Sequence, residues 1–432
     1  MDSVKVGLLG FGTIGGGVAD ILLNKVDQIA EATGKRIELV KICDKNLTAD
    51  RGVAVPEGVL TDDMSKIMDD PEIKIVIELI GGIEPARTFV LRALQAGKDV
   101  VTANKALIAN CGSELFEKAR ELGRTIAFEA AVCGGIPVLS SIQTSLQANT
   151  IRSIQAIVNG TCNFILSKME ADGSAYADVL KEAQARGYAE ADPTLDVNGS
   201  DSTQKLAILA QLAFGASVDW KKISRVGVDV VDAIDVKFAK ELGRRIRLLA
   251  IAERAEEGLV LKVSPTLIPE NSALAQVTDA VNGIEIVGDF VDSVFYKGWG
   301  AGRRPTASAV CSDVIDTALG RTRITFDALK LWSPQRKGVD VMDPKKIPTR
   351  AYLRMDVEDK PGVMAKVAAA LAGRNISIES MLQPTKVDPN DKYTSLIILT
   401  HETVAEALER AVADLDSADF VRGKTVLLAV RD

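Results

Sequence analysis

The chain has 432 residues, which is too long for one hydrophobic core and predicts two or three domains. Its hydrophobic fraction of 47% and charged fraction of 26% are ordinary for a globular protein, and its net charge of −7 argues against nucleic acid as a partner. Five scattered cysteines without a Cys-x-x-Cys pair indicate reduced thiols in a cytoplasmic protein. The single histidine, His401, excludes histidine triads, so acid–base chemistry must use other residue types.

No stretch of the sequence predicts a membrane segment. The first residues lack the basic and apolar regions of a signal peptide. The uncharged run 130–151 is long enough to cross a bilayer, but glycines, a proline and many polar residues interrupt it. We therefore expect no membrane among the partners.

A glycine fingerprint lies at the start of the chain. Residues 4–9 read as a buried strand that runs into Gly10-Phe-Gly12-Thr-Ile-Gly15 and then into a helix, the context in which G-x-G-x-x-G marks dinucleotide binding. Gly10 makes the turn, Gly12 lets the backbone approach a pyrophosphate, and Gly15 lets helix and strand pack closely. Free N–H groups at the helix start then meet the phosphates. The cofactor-binding residues predicted here are Gly10, Gly12, Thr13, Ile14 and Gly15.

The second predicted strand, residues 37–43, ends at Asp44. An acid at this position usually binds the ribose hydroxyls of NAD. Lys45 follows at once and is suited to the 2′-phosphate of NADP. The residues therefore leave the choice between NAD and NADP open.

Two further strands end in residues suited to a ligand. The strand from residue 73 ends at Gly81-Gly82, on the nicotinamide side of such folds, and the strand from Asp99 ends at Thr102-Ala-Asn104-Lys105. The carboxyl ends of parallel strands form the ligand crevice in open α/β sheets. Lys105 therefore lies where chemistry is expected, with a solvated loop lysine as the alternative. The alternation of strands and helices predicts a doubly wound parallel sheet.

An acidic segment, residues 187–205, stands out in the middle of the chain. It contains Glu190, Asp192, Asp196 and Asp201, and it ends at Lys205 in a predicted helix. Asp201 and Lys205 are four residues apart and share a helix face. Composition alone favours a solvated acidic loop, whereas the sharper interpretation is a pocket that holds an ammonium group and moves a proton through a lysine.

The rest of the middle region predicts a second sheet. Residues 226–228, 259–263 and 284–287 read as strands, and residues 238–253 read as a helix with a solvent-facing basic side. A loop with three glycines, 298–302, leads into another helix. Such a loop allows a close backbone approach to a ligand, so Gly302 joins the predicted cofactor site.

Taken together, these motifs identify a resemblance. Residues 1–333, and above all the segment Gly187-Tyr-Ala-Glu-Ala-Asp-Pro-Thr-Leu-Asp-Val-Asn-Gly-Ser-Asp201 with Lys205, resemble the homoserine dehydrogenase family. The resemblance implies reversible NAD(P)-linked interconversion of L-aspartate 4-semialdehyde and L-homoserine. It implies that Lys205 donates the proton, that Lys105 contacts cofactor and substrate, and that Glu190 binds the amino group.

The residues themselves add supporting roles to this set. Asp196 is a further candidate for the substrate ammonium, and Asp201 can orient Lys205 from one helical turn away. The family also holds a monovalent cation, Na⁺ or K⁺, mainly through backbone oxygens. The matching positions in this chain are Glu129, Val132, Gly134 and Ile136.

The last region resembles a different module. Residues 334–349 are polar and contain prolines, which predicts a linker, and residues 350–432 follow a βαββαβ order. With Asp359-Lys-Pro-Gly362 and Asn375-Ile-Ser-Ile378, this region resembles an ACT domain, a small amino-acid-sensing module that usually pairs with a second copy. The resemblance implies threonine as an effector near Gly362 and Asn375, or alternatively a dimerising domain that has lost its ligand.

The predicted architecture is α/β with three parts. A Rossmann domain covers residues 1–135 and is completed by about 303–333, a catalytic and dimerisation domain of α+β type covers 136–302, and the ACT domain follows the linker. We expect a small amino-acid substrate and a homodimer or homotetramer. The alternatives are an NAD(P)-dependent dehydrogenase of another amino or keto acid, and a cofactor or amino-acid sensor without catalysis.

Overall fold

The structure is a computed structural model that describes residues 2–384 and 390–432. The chain forms two compact units, each assembled from three segments. The first unit contains the chain up to Ile154, together with Gln204–Lys222 and Val281–Val339. The second contains Gln155–Thr203, Ile223–Ala280 and the described part of Asp340–Asp432. The chain therefore passes from one unit to the other five times.

The strands alternate with helices in the first part of the chain and cluster together later. In chain order they are β1 (Ser3–Leu9), β2 (Arg36–Cys43), β3 (Leu60–Thr61), β4 (Ile73–Glu78), β5 (Asp99–Thr102), β6 (Ile126–Ala127), β7 (Ile151–Ile157), β8 (Ser224–Arg225), β9 (Arg244–Ala255), β10 (Gly258–Pro269), β11 (Val281–Gly288), β12 (Ser293–Trp299), β13 (Pro348–Glu358), β14 (Ile378–Leu382), β15 (Tyr393–Thr400), β16 (Thr403–Val404) and β17 (Val421–Val430).

The α-helices range from one turn to seventeen residues. In chain order they are α1 (Thr13–Asn24), α2 (Val26–Thr33), α3 (Ser65–Met68), α4 (Ala86–Gln95), α5 (Lys105–Glu121), α6 (Val138–Ser140), α7 (Gly160–Asp172), α8 (Tyr176–Ala185), α9 (Thr194–Val197), α10 (Ser200–Phe214), α11 (Ala233–Glu241), α12 (Arg303–Ala318), α13 (Arg321–Leu329), α14 (Val363–Ala372) and α15 (Ala405–Asp416). Short 3-10 turns lie at Glu129–Ala131, Trp220–Lys222, Val228–Val230 and Pro344–Lys346, and a π-helical turn lies at Ser141–Ser145. Within residues 2–384 and 390–432, no helix combines the length and apolar character needed to cross a membrane.

The first unit is built on a six-stranded parallel sheet in the order β3-β2-β1-β4-β5-β6. This is the strand order of a dinucleotide-binding fold, and it confirms the predicted doubly wound sheet. Helix α12 packs beside α1, and its Ala307 and Val310 join Val6, Leu8 and Val18 in one apolar core. Because all six strands are parallel, the carboxyl ends of β1, β4 and β5 lie at the same edge of the sheet.

The second unit contains a sheet in the order β9-β10-β17-β13-β15-β14. Strands β17, β13, β15 and β14 are antiparallel neighbours, and α14 and α15 bury their apolar sides against them. The predicted βαββαβ order is thus confirmed, and β10 continues this sheet through a short parallel contact with β17.

A buried ion pair fastens α11 to β13 within the second unit. The Asp235 carboxylate is 0% exposed, and it accepts hydrogen bonds from Arg354 Nε at 2.6 Å and from the Tyr352 hydroxyl at 2.9 Å. Because a buried carboxylate is costly without donors, these bonds fix the position of α11 on the strand.

The helix predicted for residues 238–253 is wrong. Helix α11 ends at Glu241, Gly243 turns the chain with φ +67°, and β9 then pairs with β10 along its whole length. Arg247 does not face solvent: its guanidinium is fully buried and bonds to Glu170 at 2.9 Å and to the Ala275 carbonyl at 2.8 Å. Long-range pairing and a buried counter-charge therefore override the local helical pattern. The three-domain boundaries and the linker remain predictions.

Candidate functional site

The glycine fingerprint forms the turn between β1 and α1. Gly10 has φ +94°, and a Cβ on it would lie 2.6 Å from the Leu79 carbonyl oxygen. A Cβ on Gly15 would lie 2.1 Å from the Gly10 carbonyl oxygen. Both positions therefore require glycine for the fold itself, in the turn and packing roles that the sequence predicts.

Gly12 differs from these two glycines. It is exposed at the N-cap of α1, and a Cβ on it would have no protein atom within 4 Å. No side chain caps this helix start, and its first turn, which begins at Thr13 and Ile14, contains no acidic residue. The N–H groups at a helix start attract anions, so the open space at Gly12 fits a pyrophosphate.

Asp44 lies beside this loop at the end of β2. One of its carboxylate oxygens accepts a hydrogen bond from the Phe11 backbone N–H at 2.6 Å, and the other accepts one from Asn46 N–H at 2.8 Å. Asp44 thus holds the fingerprint loop in place, in addition to the ribose role predicted for it. Lys45 next to it is exposed.

Two arginines near the start of α1 were missed by the sequence reasoning. The Arg51 side chain donates to the Phe11 carbonyl oxygen, and an Arg303 side-chain nitrogen lies 3.4 Å from where a Cβ on Gly16 would stand. Arg303 directly follows Gly302, which has φ +109° and precedes α12. Because Gly302 was already a predicted cofactor-site residue, the sequence could have indicated Arg303 as well. Nothing in the sequence around Arg51 marks it.

A hydrogen-bond network joins the ends of β4 and β5. The buried Glu78 accepts from the Thr102 hydroxyl at 2.6 Å and from Ile80 N–H at 2.8 Å. The Asn104 side chain caps α5 and donates to the Gly82 carbonyl oxygen at 2.6 Å. The sequence reasoning missed Glu78, because a carboxylate at a strand end has no fixed spacing from its partners.

Lys105 is the first residue of α5 and follows this network directly. Its side chain is partly buried, and its backbone is fixed by the Asn104 cap. Gly81, with φ +83°, lies in the loop that the same network holds. The first unit therefore places Lys105 and Gly81 at the sheet edge where a ligand is expected.

Within the second unit, one asparagine connects two acids of the acidic segment. Asn159 Nδ2 donates to Asp196 at 2.8 Å and to Asp201 at 2.9 Å, while its side-chain oxygen accepts from Cys162 N–H and caps α7. Asn159 is suited to this position because the two N–H groups of one side-chain amide can donate to two different carboxylates.

The remaining acids of the segment differ in exposure. Glu190 is exposed, and its carboxylate has no partner within the described part of the chain. Asp192 accepts from the hydroxyl and the N–H of Thr194, which lowers its pKa and indicates a turn-forming role. Asp201 and Lys205 are both buried on α10, at 5% and 9% exposure. A solvated acidic loop therefore describes Glu190 and Asp192 but not the other members.

Comparison with known proteins decides which family this arrangement belongs to. Residues 10–129 match the family model of the homoserine dehydrogenase NAD binding domain, residues 137–315 match that of homoserine dehydrogenase, and residues 351–417 match the ACT domain. The chain is 42% identical to the homoserine dehydrogenase of Pseudomonas aeruginosa, over 100% of this chain and 99% of that one. The chain belongs to the homoserine dehydrogenase family.

Solved structures agree with this assignment. A crystal structure of a homoserine dehydrogenase from Thiobacillus denitrificans is 41% identical, has a TM-score of 0.92 and matches 100% of this chain and 99% of its own. A hyperthermophilic archaeal homoserine dehydrogenase in complex with NADPH is 28% identical with a TM-score of 0.62, over 73% of this chain and 98% of its own. This chain is thus an NAD(P)-dependent oxidoreductase that acts on a CH–OH group, and it has homoserine dehydrogenase function.

The loop that matches the family's cation site is tightly packed within the first unit. A Cβ on Gly134 would lie 2.8 Å from the Gly300 carbonyl oxygen, and Ile136 N–H donates to the Cys133 carbonyl at 2.8 Å. Val132 and Gly134 are buried residues, and among the described residues no hydrogen bond ends on the carbonyl oxygen of either. Two carbonyl oxygens without donors fit the oxygen ligands that a monovalent cation requires.

The Glu129 carboxylate has a different task in this loop. Its two oxygens accept from Leu139 N–H at 2.9 Å and from Ser140 N–H at 2.6 Å, which closes the loop around positions 132–136. Asp313 on α12 accepts from the Glu129 backbone N–H at 2.8 Å. Burial raises the pKa of Glu129 to about 7 and that of Asp313 well above its usual range. The backbone oxygen of Glu129 also accepts a hydrogen bond, from Val132 N–H at 3.3 Å.

The two predicted effector residues lie at opposite ends of α14. Gly362, with φ +90°, precedes the helix, and Asn375, with φ +57°, follows it. A ten-residue helix is about 15 Å long, so one small ligand cannot touch both residues of the same copy. The structure therefore does not bring the two predicted effector residues together within one chain.

Proposed function

We propose that Lys205 transfers the proton in the interconversion of L-aspartate 4-semialdehyde and L-homoserine. The observation behind this proposal is the pair of bonds from Asn159 to Asp196 and Asp201. These bonds fix the start of α10, the helix on which Lys205 lies four residues after Asp201. A lysine buried on a fixed helix is held in one place, which proton transfer requires.

The proposed chemistry assigns one task to each lysine. When bound, the nicotinamide supplies or accepts the hydride at the carbon that alternates between aldehyde and alcohol. During reduction, the Lys205 ammonium gives its proton to the carbonyl oxygen, and during oxidation its amine takes the proton back. Lys105, at the start of α5, stabilises the negative charge that develops on the same oxygen.

The acidic residues of the segment 187–205 are proposed to bind the substrate ammonium group and to orient Lys205. Glu190 binds the substrate ammonium, since it is exposed and its carboxylate has no partner in residues 2–384 and 390–432. Asp196, held in place by its bond with Asn159, is a second carboxylate for the same ammonium, and Asp201 orients Lys205 from one helical turn away.

For the cofactor, the proposed site extends from Gly10 to Gly302. The pyrophosphate binds at Gly12 and the start of α1, and the adenosine ribose binds at Asp44. We propose that NADP is accepted as well as NAD, because the exposed Lys45 follows Asp44 and because a relative is described in complex with NADPH. The cation, Na⁺ or K⁺, would be held by the carbonyl oxygens of Val132 and Gly134, with further backbone oxygens from Glu129 and Ile136.

Regulation by threonine is the proposed task of the ACT domain. Because Gly362 and Asn375 lie at opposite ends of α14, one small ligand can contact both only if Gly362 comes from one copy of the chain and Asn375 from another. This favours a homodimer, or a homotetramer built from such pairs, with an effector between the ACT domains. The cytoplasmic location stays a prediction that rests on the five scattered cysteines.

An oxidation assay with L-homoserine at alkaline pH tests these roles. Rates would be measured with NAD and with NADP, with and without threonine, and with added Na⁺ or K⁺. Lys205→Ala should lower kcat by roughly 10²–10⁴-fold, the usual contribution of a proton-transferring group, and leave cofactor binding nearly unchanged. The matched control is Lys222→Ala, an exposed lysine of the same chain segment. An unchanged kcat in Lys205→Ala would remove the mechanism, and turnover of another amino or keto acid in place of homoserine would change the substrate.

A further inference from the structure

A separate cavity lies within the second unit, away from the acidic segment and from both ends of α14. Its volume is about 380 Å³, which is in the range of small-molecule sites. Its walls come from β9 and β10, from the start of β13 and from the turn before β16. None of the catalytic, cofactor or effector residues proposed above lines it.

Most of the charged side chains that line the cavity already have a partner of opposite charge. Arg431 pairs with Glu253 at 2.6 Å, and Arg350 pairs with Glu379 at 2.6 Å and also with Asp432. Charged groups that are already paired with good geometry have little left to offer a ligand. Only charged side chains of the cavity without such a partner are therefore available to bind a charged ligand.

Two charged groups of opposite sign remain without a partner. Within residues 2–384 and 390–432, Lys262 and Glu402 make no side-chain hydrogen bond and no ion pair, with each other or with any other residue. Lys262 on β10 and Glu402 in the turn before β16 both line the cavity, and Glu402 is exposed. The cavity thus offers one cation and one anion at separate points of its lining.

The surroundings of Lys262 make its lack of a partner costly. Val260, two residues earlier on β10, shares the face of Lys262 and packs in an apolar cluster with Met342 and Ile347, all of which are buried. Burial lowers the pKa of Lys262 to about 8, because the charged form loses contact with water. A carboxylate at this point would replace the lost hydration with a charge-assisted hydrogen bond.

We propose that this cavity binds a small L-α-amino acid, with its carboxylate on Lys262 and its ammonium on Glu402. A zwitterion compensates both free charges, whereas a simple anion or a simple amine compensates only one. The ligand would contact β13 of the ACT domain and the β9–β10 hairpin at once. It would therefore be a second amino-acid site, independent of the one proposed at Gly362 and Asn375.

The test measures binding to the full-length protein and does not depend on turnover. Each of the protein L-amino acids is added singly, and thermal shift and then calorimetry are recorded. We expect at least one to bind with one site per chain. Lys262→Met should weaken that binding roughly tenfold or more, and Glu402→Gln roughly threefold, because each removes one charge-assisted bond. Propionate and n-propylamine, which carry one charge each, should bind more weakly than the amino acid.

Two control variants make the result specific. Lys346→Met removes an exposed lysine from the turn just before β13 and should leave the affinity unchanged. Asn375→Ala alters the other proposed effector site and should also leave it unchanged. If Lys262→Met does not fold, the exposed Glu402→Gln decides the question by itself.

Four results would overturn the proposal. They are the absence of binding by any amino acid, binding that both cavity variants leave intact, binding that Asn375→Ala abolishes, and propionate binding as tightly as the amino acid. None of these results bears on the dehydrogenase reaction, so failure here and failure of the proposed catalytic roles are distinguishable.

Discussion

Gly12 offers a direct test of the proposed pyrophosphate site, because its two neighbouring fingerprint glycines are required by the fold and Gly12 is not. We predict that Gly12→Ala leaves the protein stable but weakens cofactor binding. The residue has φ −78° and extended backbone, which alanine adopts, and its Cβ would meet no protein atom within 4 Å. Replacing glycine by alanine at such a position changes the free energy of unfolding by less than about 1 kcal/mol.

The expected loss of affinity follows from the space that the new methyl group occupies. If the pyrophosphate approaches the backbone at Gly12, the methyl group stands between them. Forcing one extra carbon into a close contact costs roughly 1–3 kcal/mol, or about 5- to 150-fold in Kd. Gly15→Ala should behave differently, because its Cβ would lie 2.1 Å from the Gly10 carbonyl oxygen and the turn itself must move.

The assay compares thermal unfolding with NADPH and NADH titrations followed by fluorescence. Gly12→Ala should show an unchanged Tm without cofactor, a raised Kd, and a smaller increase in Tm when cofactor is added. Gly15→Ala should show a lowered Tm without cofactor. A folded Gly12→Ala protein with unchanged cofactor affinity would refute the assignment of the pyrophosphate to this loop.

Two more variants test contacts within the second unit. Arg354→Met leaves the Asp235 carboxylate buried without its main partner and should lower the free energy of unfolding by roughly 3–5 kcal/mol. Adding Asp235→Asn should restore part of that loss. Urea unfolding measures both variants, and a loss below about 1 kcal/mol in Arg354→Met contradicts the reasoning. Asn159→Asp replaces the donor between Asp196 and Asp201 with a third carboxylate, so kcat/KM for homoserine should fall roughly tenfold or more while the cofactor Kd stays constant. Steady-state kinetics and a cofactor titration measure the two quantities. An unchanged kcat/KM would show that this group of side chains does not support the reaction.

The sequence was most informative where local rules and the fold agree. The fingerprint followed a strand and opened a helix, and Gly10 and Gly15 have the turn and packing roles that this context predicts. The βαββαβ order of the last region was also readable, because apolar periodicity and turn residues alternate regularly there. Both cases depend on interactions between residues close in the chain.

Predictions failed or fell short where distant residues decide the outcome. The Arg244–Ala255 strand looked helical because its partner strand and the counter-charge for Arg247 on α7 are not visible locally. The same limit hid Glu78, whose partner Thr102 follows 24 residues later, and Arg51, which bonds to a carbonyl 40 residues earlier. A carboxylate or guanidinium whose donor or acceptor is distant in the chain leaves no pattern that spacing can detect.

The five passages of the chain between its two units have a consequence for protein engineering. No single cut in the sequence separates one unit from the other, because each consists of three segments that alternate along the chain. A chimera made from two relatives with one crossover therefore mixes parental residues inside both cores. One passage even falls within α10, between Thr203 and Gln204. Exchange of one whole unit would need a crossover at each of the five passages. Point substitution is therefore a simpler way to vary this enzyme than the exchange of units between relatives.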